Sequence, residues 1–385
     1  MTRYCGKLRP KLPDVGTTIF AVMDKLSNEY GAINLSQGFP DFPVSEELVG
    51  LVEQYMKKGF NQYAPMYGIQ RLREELCRKI EELYAASYHP EKEINITSGA
   101  TQAIYTAVAA VVNPGDEVIL FTPAYDSYAP AVKVHGGKAI YSKLKAPEYT
   151  VNWDEVNTLI NSRTRMIIIN SPHNPTGSIL SLEDMQQLEK LTRNTDIIIL
   201  SDEVYEHIIF DKALHQSLMR FPGLVERSFV VFSFGKTFHS TGWKMGYCLA
   251  PENLMKEFRS IHQFIVYCCN TPVQYALSDF LKNKDNYLGI SSLYEKKRDV
   301  FISLIKESRF KFSPSRGSYF QLLDYSDITD EKDTDFAVRM TKENRVASIP
   351  VSVFYPDALD QKILRFCFAK QEETLEKAAE ILCKI

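Results

Sequence analysis

The sequence predicts an α/β fold, a mostly parallel sheet with helices on both faces, beside a smaller α+β domain. Three observations point there. Through the middle of the chain, short and almost purely apolar runs alternate with segments of helical period, the pattern of a doubly wound sheet. The reactive side chains cluster just past the carboxyl end of each run. From about Tyr294 the pattern changes to an amphipathic helix, two separated strands and a closing helix. A chain of 385 residues favours two domains, and we place a large one at 46–280 and a small one in 1–45 together with 281–385.

The first unit is a strand over 93–98 that turns at Gly99 into a buried helix over 101–112. A strand over 117–121 ends at Thr122-Pro123-Ala124-Tyr125. The next, over 165–170, ends at Ser171-Pro172-His173-Asn174-Pro175-Thr176-Gly177, ahead of a helix over 182–191. Residues 196–200 end at Ser201-Asp202-Glu203-Val204-Tyr205, and 229–232 at Ser233-Phe234-Gly235-Lys236-Thr237. In an open α/β sheet, ligands bind outside the carboxyl ends of the strands. Tyr125, Asn174, Asp202, Tyr205 and Lys236 are therefore expected to share one pocket. In the tail, 296–308 reads as helix, 317–323 and 362–368 as strands, and 374–385 as helix. An irregular loop over 35–42 lies between the two domains.

A net charge of −3 gives no basic field for nucleic acid, so a small-molecule substrate is the better expectation. The seven cysteines form no C-x-x-C pair, and the seven histidines no H-E-x-x-H spacing. We expect reduced thiols, a cytoplasmic protein and no metal site. The N-terminus has no apolar signal core. The longest apolar runs are strand-sized, short of the roughly 18 residues a membrane helix needs.

Gly235-Lys236-Thr237 invites a phosphate-loop reading, but that motif needs a glycine five positions earlier, where Val230 stands. Lys236 instead follows an apolar strand among Phe232, Phe234, Phe238 and Trp243, where desolvation would free its amine; surface charge is the alternative. Ser98-Gly99-Ala100-Thr101 is either a phosphate seat at a helix N-terminus, helped by Ser233 and Lys244, or an ordinary turn with a serine cap. Asp202 at a buried strand end needs a partner: a protonated pyridine nitrogen, a salt bridge or a helix amide. Tyr205 and Asn174 can hydrogen-bond a ring oxygen. Tyr125 either stacks on such a ring or belongs to the core. Arg365, alternating with Leu364 and Phe366, either grips a substrate carboxylate or faces water from an edge strand.

Through Asn174-Pro175-Thr176-Gly177, Asp202-Glu203-Val204-Tyr205, Ser233-Phe234-Gly235-Lys236-Thr237 and Thr241-Gly242-Trp243-Lys244-Met245-Gly246-Tyr247, essentially the whole chain resembles the class I/II aminotransferases of pyridoxal-phosphate fold type I. Residues 34–42, 61–63, 242–244 and 349–355 resemble the kynurenine/glutamine-transaminase branch. Residues 61–66, 125–130 and 233–237 resemble the bacterial methionine aminotransferases within it. The resemblance implies pyridoxal 5'-phosphate held covalently by Lys236, with Asp202 on its pyridine nitrogen and Tyr205 and Asn174 on its ring oxygen. It places Ala100, Thr101, Ser233 and Lys244 on the phosphate, joined by Tyr63 of a second copy, and so implies a homodimer. Arg365, with Asn174 and the Gly38 backbone, would hold the substrate carboxylate. Phe20, Phe39, Tyr125, Tyr267 and Phe354 would wall the side-chain pocket. Many relatives carry arginine where Lys244 stands. Kynurenine-preferring enzymes tend to have phenylalanine at Tyr125 and histidine at Cys268, which counts against kynurenine as principal donor. The expected reaction moves the amino group of methionine, aromatic amino acids, glutamine or kynurenine to a 2-oxo acid. A carbon–sulfur β-lyase acting on cysteine conjugates or cystathionine is the alternative. A transaminase-bodied regulator would carry a fused DNA-binding domain, which is not expected in the stretch before residues 34–42, and a catalytically dead scaffold would not be expected to keep Lys236, Asp202, Tyr205, Asn174 and Arg365.

Overall fold

In a computed structural model the described residues are 4–385; residues 1–3, at the head of the segment assigned to the small domain, lie outside them. After a short first strand, β1 (Ile33–Asn34), the next seven strands build the main sheet. They are β2 (Ile94–Thr97), β3 (Glu117–Thr122), β4 (Lys138–Lys143), β5 (Thr164–Asn170), β6 (Ile198–Asp202), β7 (Ser228–Ser233) and β8 (Gly246–Leu249), in the order β2-β8-β7-β6-β5-β3-β4. All run parallel except β8, which is antiparallel to both β2 and β7. All but β4 are buried along nearly their whole length because both faces are covered. Met166 and Ile168 pack with Ala103, Ala107 and Val108 of the helix Gly99–Val111, while Ile167 and Ile169 pack on the opposite face with Leu188 and Leu76.

The expected units are present with shifted ends. The helix after β2 starts at Gly99 rather than at 101, since its first turn follows directly from the strand. The helix expected at 296–308 runs Ile290–Ile305. Two members of the sheet, β4 and β8, were not expected; β4 carries lysines and partly exposed side chains, and β8 is only four residues long. β9 (Phe320–Asp324), β11 (Ile349–Pro350) and β12 (Ile363–Cys367) form a separate antiparallel sheet in the order β11-β12-β9, and β10 (Val346–Ala347) pairs with β1. These pack into a second core that joins Met23 and Leu35 to Tyr294, Phe301, Leu364, Phe366 and Leu375. The loop after β1 is fastened to this body: the Leu35 carbonyl accepts from the Cys367 amide, and Lys370 Nζ donates to the Phe39 carbonyl.

Below the sheet, a buried ion pair ties the helix Gln70–Tyr84 to the turn after β6. Lys79 Nζ lies 2.5 Å from Glu206 Oε1 and 3.2 Å from Tyr247 Oη, and Tyr84 donates to Glu206 Oε2. Burial alone would raise the Glu206 pKa, but Lys79, with these hydrogen bonds, outweighs it and holds the carboxyl at about 2. Glu203, at the other side of the same turn, accepts from Ser201 Oγ and the Leu218 amide. Removing one member of such a pair leaves a buried charge uncompensated. Lys79→Met is therefore expected to lower unfolding stability by about 3–5 kcal/mol, with Lys79→Met/Glu206→Gln regaining most of it, in denaturant titrations.

Candidate active site

The parallel strands bring their carboxyl ends to one edge, and β8, running the other way, brings its amino end there. In register, Thr97, Gly246 and Ser233 align across β2, β8 and β7, as do Asn170 and Asp202 across β5 and β6. A cavity of about 260 Å³ opens beyond this edge.

Lys236 enters it from the single helical turn Phe234–Thr237 that ends β7. Gly235 precedes it because a Cβ there would come within 2.9 Å of Thr241 Cα. The Lys236 amine donates to the Gly38 carbonyl at 3.0 Å and to Tyr319 Oη at 2.9 Å. Burial pulls its pKa down to about 8; Arg365 and Lys244 push the same way, while Cys367 and Asp202 oppose. At that value roughly one amine in ten is neutral at pH 7, against fewer than roughly one in a thousand for an ordinary lysine.

Asp202 ends β6 at 4% exposure. Tyr128 Oη donates to its Oδ2 at 2.6 Å and the Val204 amide to its Oδ1 at 3.3 Å; among the described residues no cation bonds it. Burial raises its carboxyl to about 6 despite these donors. Tyr205 is buried nearby, edge-on to Tyr319 with ring centroids 5.1 Å apart. The Asn174 amide donates to Asn170 Oδ1 at 2.8 Å, which fixes the loop after β5.

An anion seat lies at the start of the helix Gly99–Val111, whose first amides have no intrahelical acceptor. Gly99 sits at φ +76°, a backbone conformation that favours glycine, and a Cβ there would stand 3.5 Å from Lys244 Nζ, so the ammonium lies directly over this turn. Gly246 permits the approach, since a Cβ there would collide with the Phe232 carbonyl and crowd the Ala100 amide. Ser98 does not cap the helix; instead its amide donates to Gln102 Oε1.

Arg365 is not an edge arginine. β12 is the central strand of its sheet and Arg365 is 1% exposed. Nη1 donates to Asn174 Oδ1 at 2.7 Å and Nη2 to the Ser36 carbonyl at 2.8 Å, while Nε has no hydrogen-bond partner among the described residues. The guanidinium rests on the Phe320 ring, 3.9 Å from its centroid, with Phe20 and Phe354 at 5.3 and 5.6 Å. Burial lowers its pKa to about 10, so it stays charged at neutral pH.

Of the residues singled out in the sequence, the cavity is lined by Lys236, Ala100, Thr101, Tyr125, Asn174, Asp202, Tyr205, Ser233, Lys244, Gly38, Arg365, Phe20 and Phe39. Three do not line it. Phe354 is buried one layer back, against Phe20 and the guanidinium. Tyr63, 84% exposed, and Tyr267 meet edge-on at 5.5 Å on the surface, outside their own chain's cavity. Sequence reasoning did not single out Tyr128, Tyr319 or Phe320, whose types carry no signal of their partners, nor the Ser36 carbonyl, which has no sequence signal at all. Gly246 did have one, a glycine opening an apolar strand, which signals close backbone approach.

A parallel sheet with this switch of direction, a desolvated lysine, a buried acid and a buried arginine around one cavity define an α/β enzyme of the amino-group-transferring kind. The family model described as aminotransferase class I and II matches residues 30–382, and the chain belongs to that family. It is 45% identical to the methionine aminotransferase of Escherichia coli (strain K12) over 373 residues, 97% of each chain. It is 33% identical to human kynurenine–oxoglutarate transaminase 3, over 97% of this chain and 89% of that one. Among solved structures it superposes on YbdL from Escherichia coli, whose structure and reactivity identified a methionine aminotransferase function, with a TM-score of 0.96 at 44% identity, covering 98% of this chain and 100% of that one. The N-succinyldiaminopimelate aminotransferase of Mycobacterium tuberculosis matches with a TM-score of 0.94 at 33% identity, covering 98% and 100%. The fold is that of the fold type I aminotransferases, and the chain is an aminotransferase.

The carboxyl of Asp202 is held at about 6 against an ordinary 3.8, so the folded chain binds this proton more tightly than the unfolded one. Its contribution to stability is fully present below about pH 4, is lost as pH rises to about 6, and leaves a constant penalty above. Asp202→Asn is therefore expected to stabilise the ligand-free chain by about 1–3 kcal/mol at pH 8 and not at pH 4, in urea unfolding at the two values.

Proposed function

We propose that the cavity holds pyridoxal 5'-phosphate and transfers the amino group of methionine, and of aromatic amino acids or glutamine, to a 2-oxo acid. The observation that carries this is the pairing of Arg365, a buried guanidinium that no carboxylate bonds among the described residues and whose Nε is unfilled, with the desolvated amine of Lys236 in the same small cavity.

The residues present fit the cofactor. Its phosphate suits the amides of Ala100 and Thr101 with Ser233 and Lys244. Asp202, buried without a cation, suits a protonated pyridine nitrogen, and Tyr205 and Asn174 suit the ring oxygen. Tyr125 would lie against the ring. When bound, the cofactor supplies the electron sink that makes the substrate Cα–H acidic. The chain's own groups do the rest. Arg365, with Asn174 and the Gly38 backbone, orients the substrate carboxylate. Lys236, once its amine is released, is the general base at Cα, and burial keeps a useful fraction of it neutral. Phe20, Phe39 and Phe354 exclude water and offer a polarisable apolar wall that suits a flexible thioether. The same surface accommodates planar rings.

Tyr63 and Tyr267, exposed as a pair, are read as the contribution of each copy to the other's site in a homodimer. The division at 46–280 and 1–45 with 281–385 is kept as the domain proposal, supported by the core around β9, β11 and β12, which draws on the larger segment only through Val204, Tyr205, Ile208 and Phe210 among its buried members. Thiols at Cys77, Cys248, Cys268, Cys269, Cys367 and Cys383 suit a cytoplasmic enzyme. No helix among the described residues is long and apolar enough to cross a membrane.

The test is a half-reaction screen that follows the bound cofactor's visible absorbance with each amino acid in turn. Methionine is expected to be among the fastest donors, and pyruvate and ammonia from cystathionine without transamination would overturn the reading in favour of a β-lyase. Lys236→Ala is expected to abolish turnover. Arg365→Lys, which keeps the charge and loses the planar fork, should lower kcat/KM by roughly 100-fold with the larger share in KM, in steady-state kinetics.

A further inference from the structure

We propose that Tyr319, at the entry to β9, orients the free amine of Lys236 so that its lone pair faces the cavity. This rests on the reading of Lys236 as the cofactor-holding base. Three bonds link these groups, with the Tyr205 hydroxyl as a further polar neighbour of Tyr319. Tyr319 Oη donates to the Gly38 carbonyl, and Lys236 Nζ donates both to that carbonyl at 3.0 Å and to Tyr319 Oη at 2.9 Å. A phenol has one proton, and Gly38 takes it, so the phenol oxygen can only accept from the lysine. A neutral amine has two hydrogens and one lone pair. With both hydrogens held by Tyr319 and Gly38, the lone pair is left to point along the remaining direction, away from these partners.

The tyrosine is well placed to act this way because it cannot move or ionise easily. It is fully buried, packed edge-on against Tyr205 and Phe320 at 5.1 and 5.0 Å, and tilted against Tyr294 at 5.6 Å. Burial raises its pKa well above the ordinary phenol value. The Gly38 backbone packs closely on the same aromatics, since a Cβ there would stand 2.8 Å from Phe320 Cζ. The other groups facing the amine are Arg365 and Cys367 from β12, Asp202 and Tyr205 from the end of β6, and Lys244 ahead of β8. None of these accepts a hydrogen bond from Lys236, so Tyr319 provides the one side-chain acceptor found for it among the described residues.

A hydrogen-bond acceptor favours the protonated amine, so its loss should lower the Lys236 pKa. The test uses the full-length chain, dialysed free of cofactor, with trace acetylation by acetic anhydride over pH 6–11 and the Lys236 peptide quantified by mass spectrometry. The wild-type midpoint is expected at about 8. Tyr319→Phe should move it down by at least about half a unit while solvent-exposed Lys92 keeps its own. In the loaded enzyme, kcat should fall roughly tenfold with KM little changed, as expected for a misoriented base rather than a damaged substrate site. Incorporation of 3-fluorotyrosine at position 319 keeps the shape and weakens the oxygen as acceptor, so its midpoint must shift in the same direction; this holds even if the phenylalanine variant folds poorly. An unmoved midpoint in both proteins overturns the role of Tyr319. Borohydride reduction of wild-type chain with pyridoxal 5'-phosphate separates the two readings: no label on Lys236 overturns the cofactor reading itself, whereas a label with unmoved midpoints overturns Tyr319 alone.

Discussion

The site depends on a guanidinium removed from water that no carboxylate bonds among the described residues, with Asp126 acting on it only from further off. Arg365 lies in the middle strand of the small sheet and is satisfied only by neutral acceptors, the side chain of Asn174 from the main sheet's edge and the Ser36 carbonyl from the loop after β1. Three distant stretches of chain are thus tied to one charge. Desolvation of such a cation is expensive, and two hydrogen bonds with an aromatic ring beneath it offset this only in part. The remaining deficit is what a carboxylate would relieve. It also acts on Lys236, whose amine is depressed chiefly by burial; Cys367 opposes this, and Arg365 and then Lys244 add to the depression, with Asp202 opposing last. The same arginine that would hold a substrate therefore helps keep the base neutral.

The reversal of β8 matters as much as the parallel strands. Had it run with its neighbours, Lys244 would lie at the far edge of the sheet. Running against them, it places Lys244 at the helix start beyond β2, and Gly246 gives the backbone the clearance to approach. The helix Gly99–Val111 and the ammonium then act on the same point, and both favour an anion there.

What could be read in the sequence was what repeats or interrupts a pattern. Apolar runs announced β2, β3, β5, β6 and β7, and the polar residues ending them announced Asp202, Tyr205, Asn174 and Lys236. β4 was missed because its lysines and half-exposed residues break the run, and β8 because it is short and follows a glycine-rich turn. Arg365 was visible as a charge in an apolar strand, but period two could not separate a buried face from a wet one. That choice was made by β12 having neighbours on both sides. Tyr128 and Tyr319 were invisible for a different reason: a tyrosine in an apolar setting looks the same whether its hydroxyl meets solvent, a carboxylate or a lysine. The comparison with known aminotransferases established the family, while the bonds of these hydroxyls came only from the three-dimensional arrangement.

The sign of charge along the cavity gives a separate reason for the proposed ligands. The helix start with Lys244 favours an anion, Asp202 a cation and Arg365 a second anion, with a weakly basic amine between them. A nucleoside triphosphate would satisfy the two positive ends and place its excess negative charge near Asp202. A simple amino acid would reach Arg365 and leave the helix start unused. A pyridinium bearing a phosphate, followed by an amino acid carboxylate, meets all three in order. Because the walls are buried, each mismatch is screened little and each match is strengthened. Selectivity for that combination then follows from the arrangement of charges, whereas the choice among methionine and the aromatic amino acids falls to Phe20, Phe39 and the residues a second copy would bring.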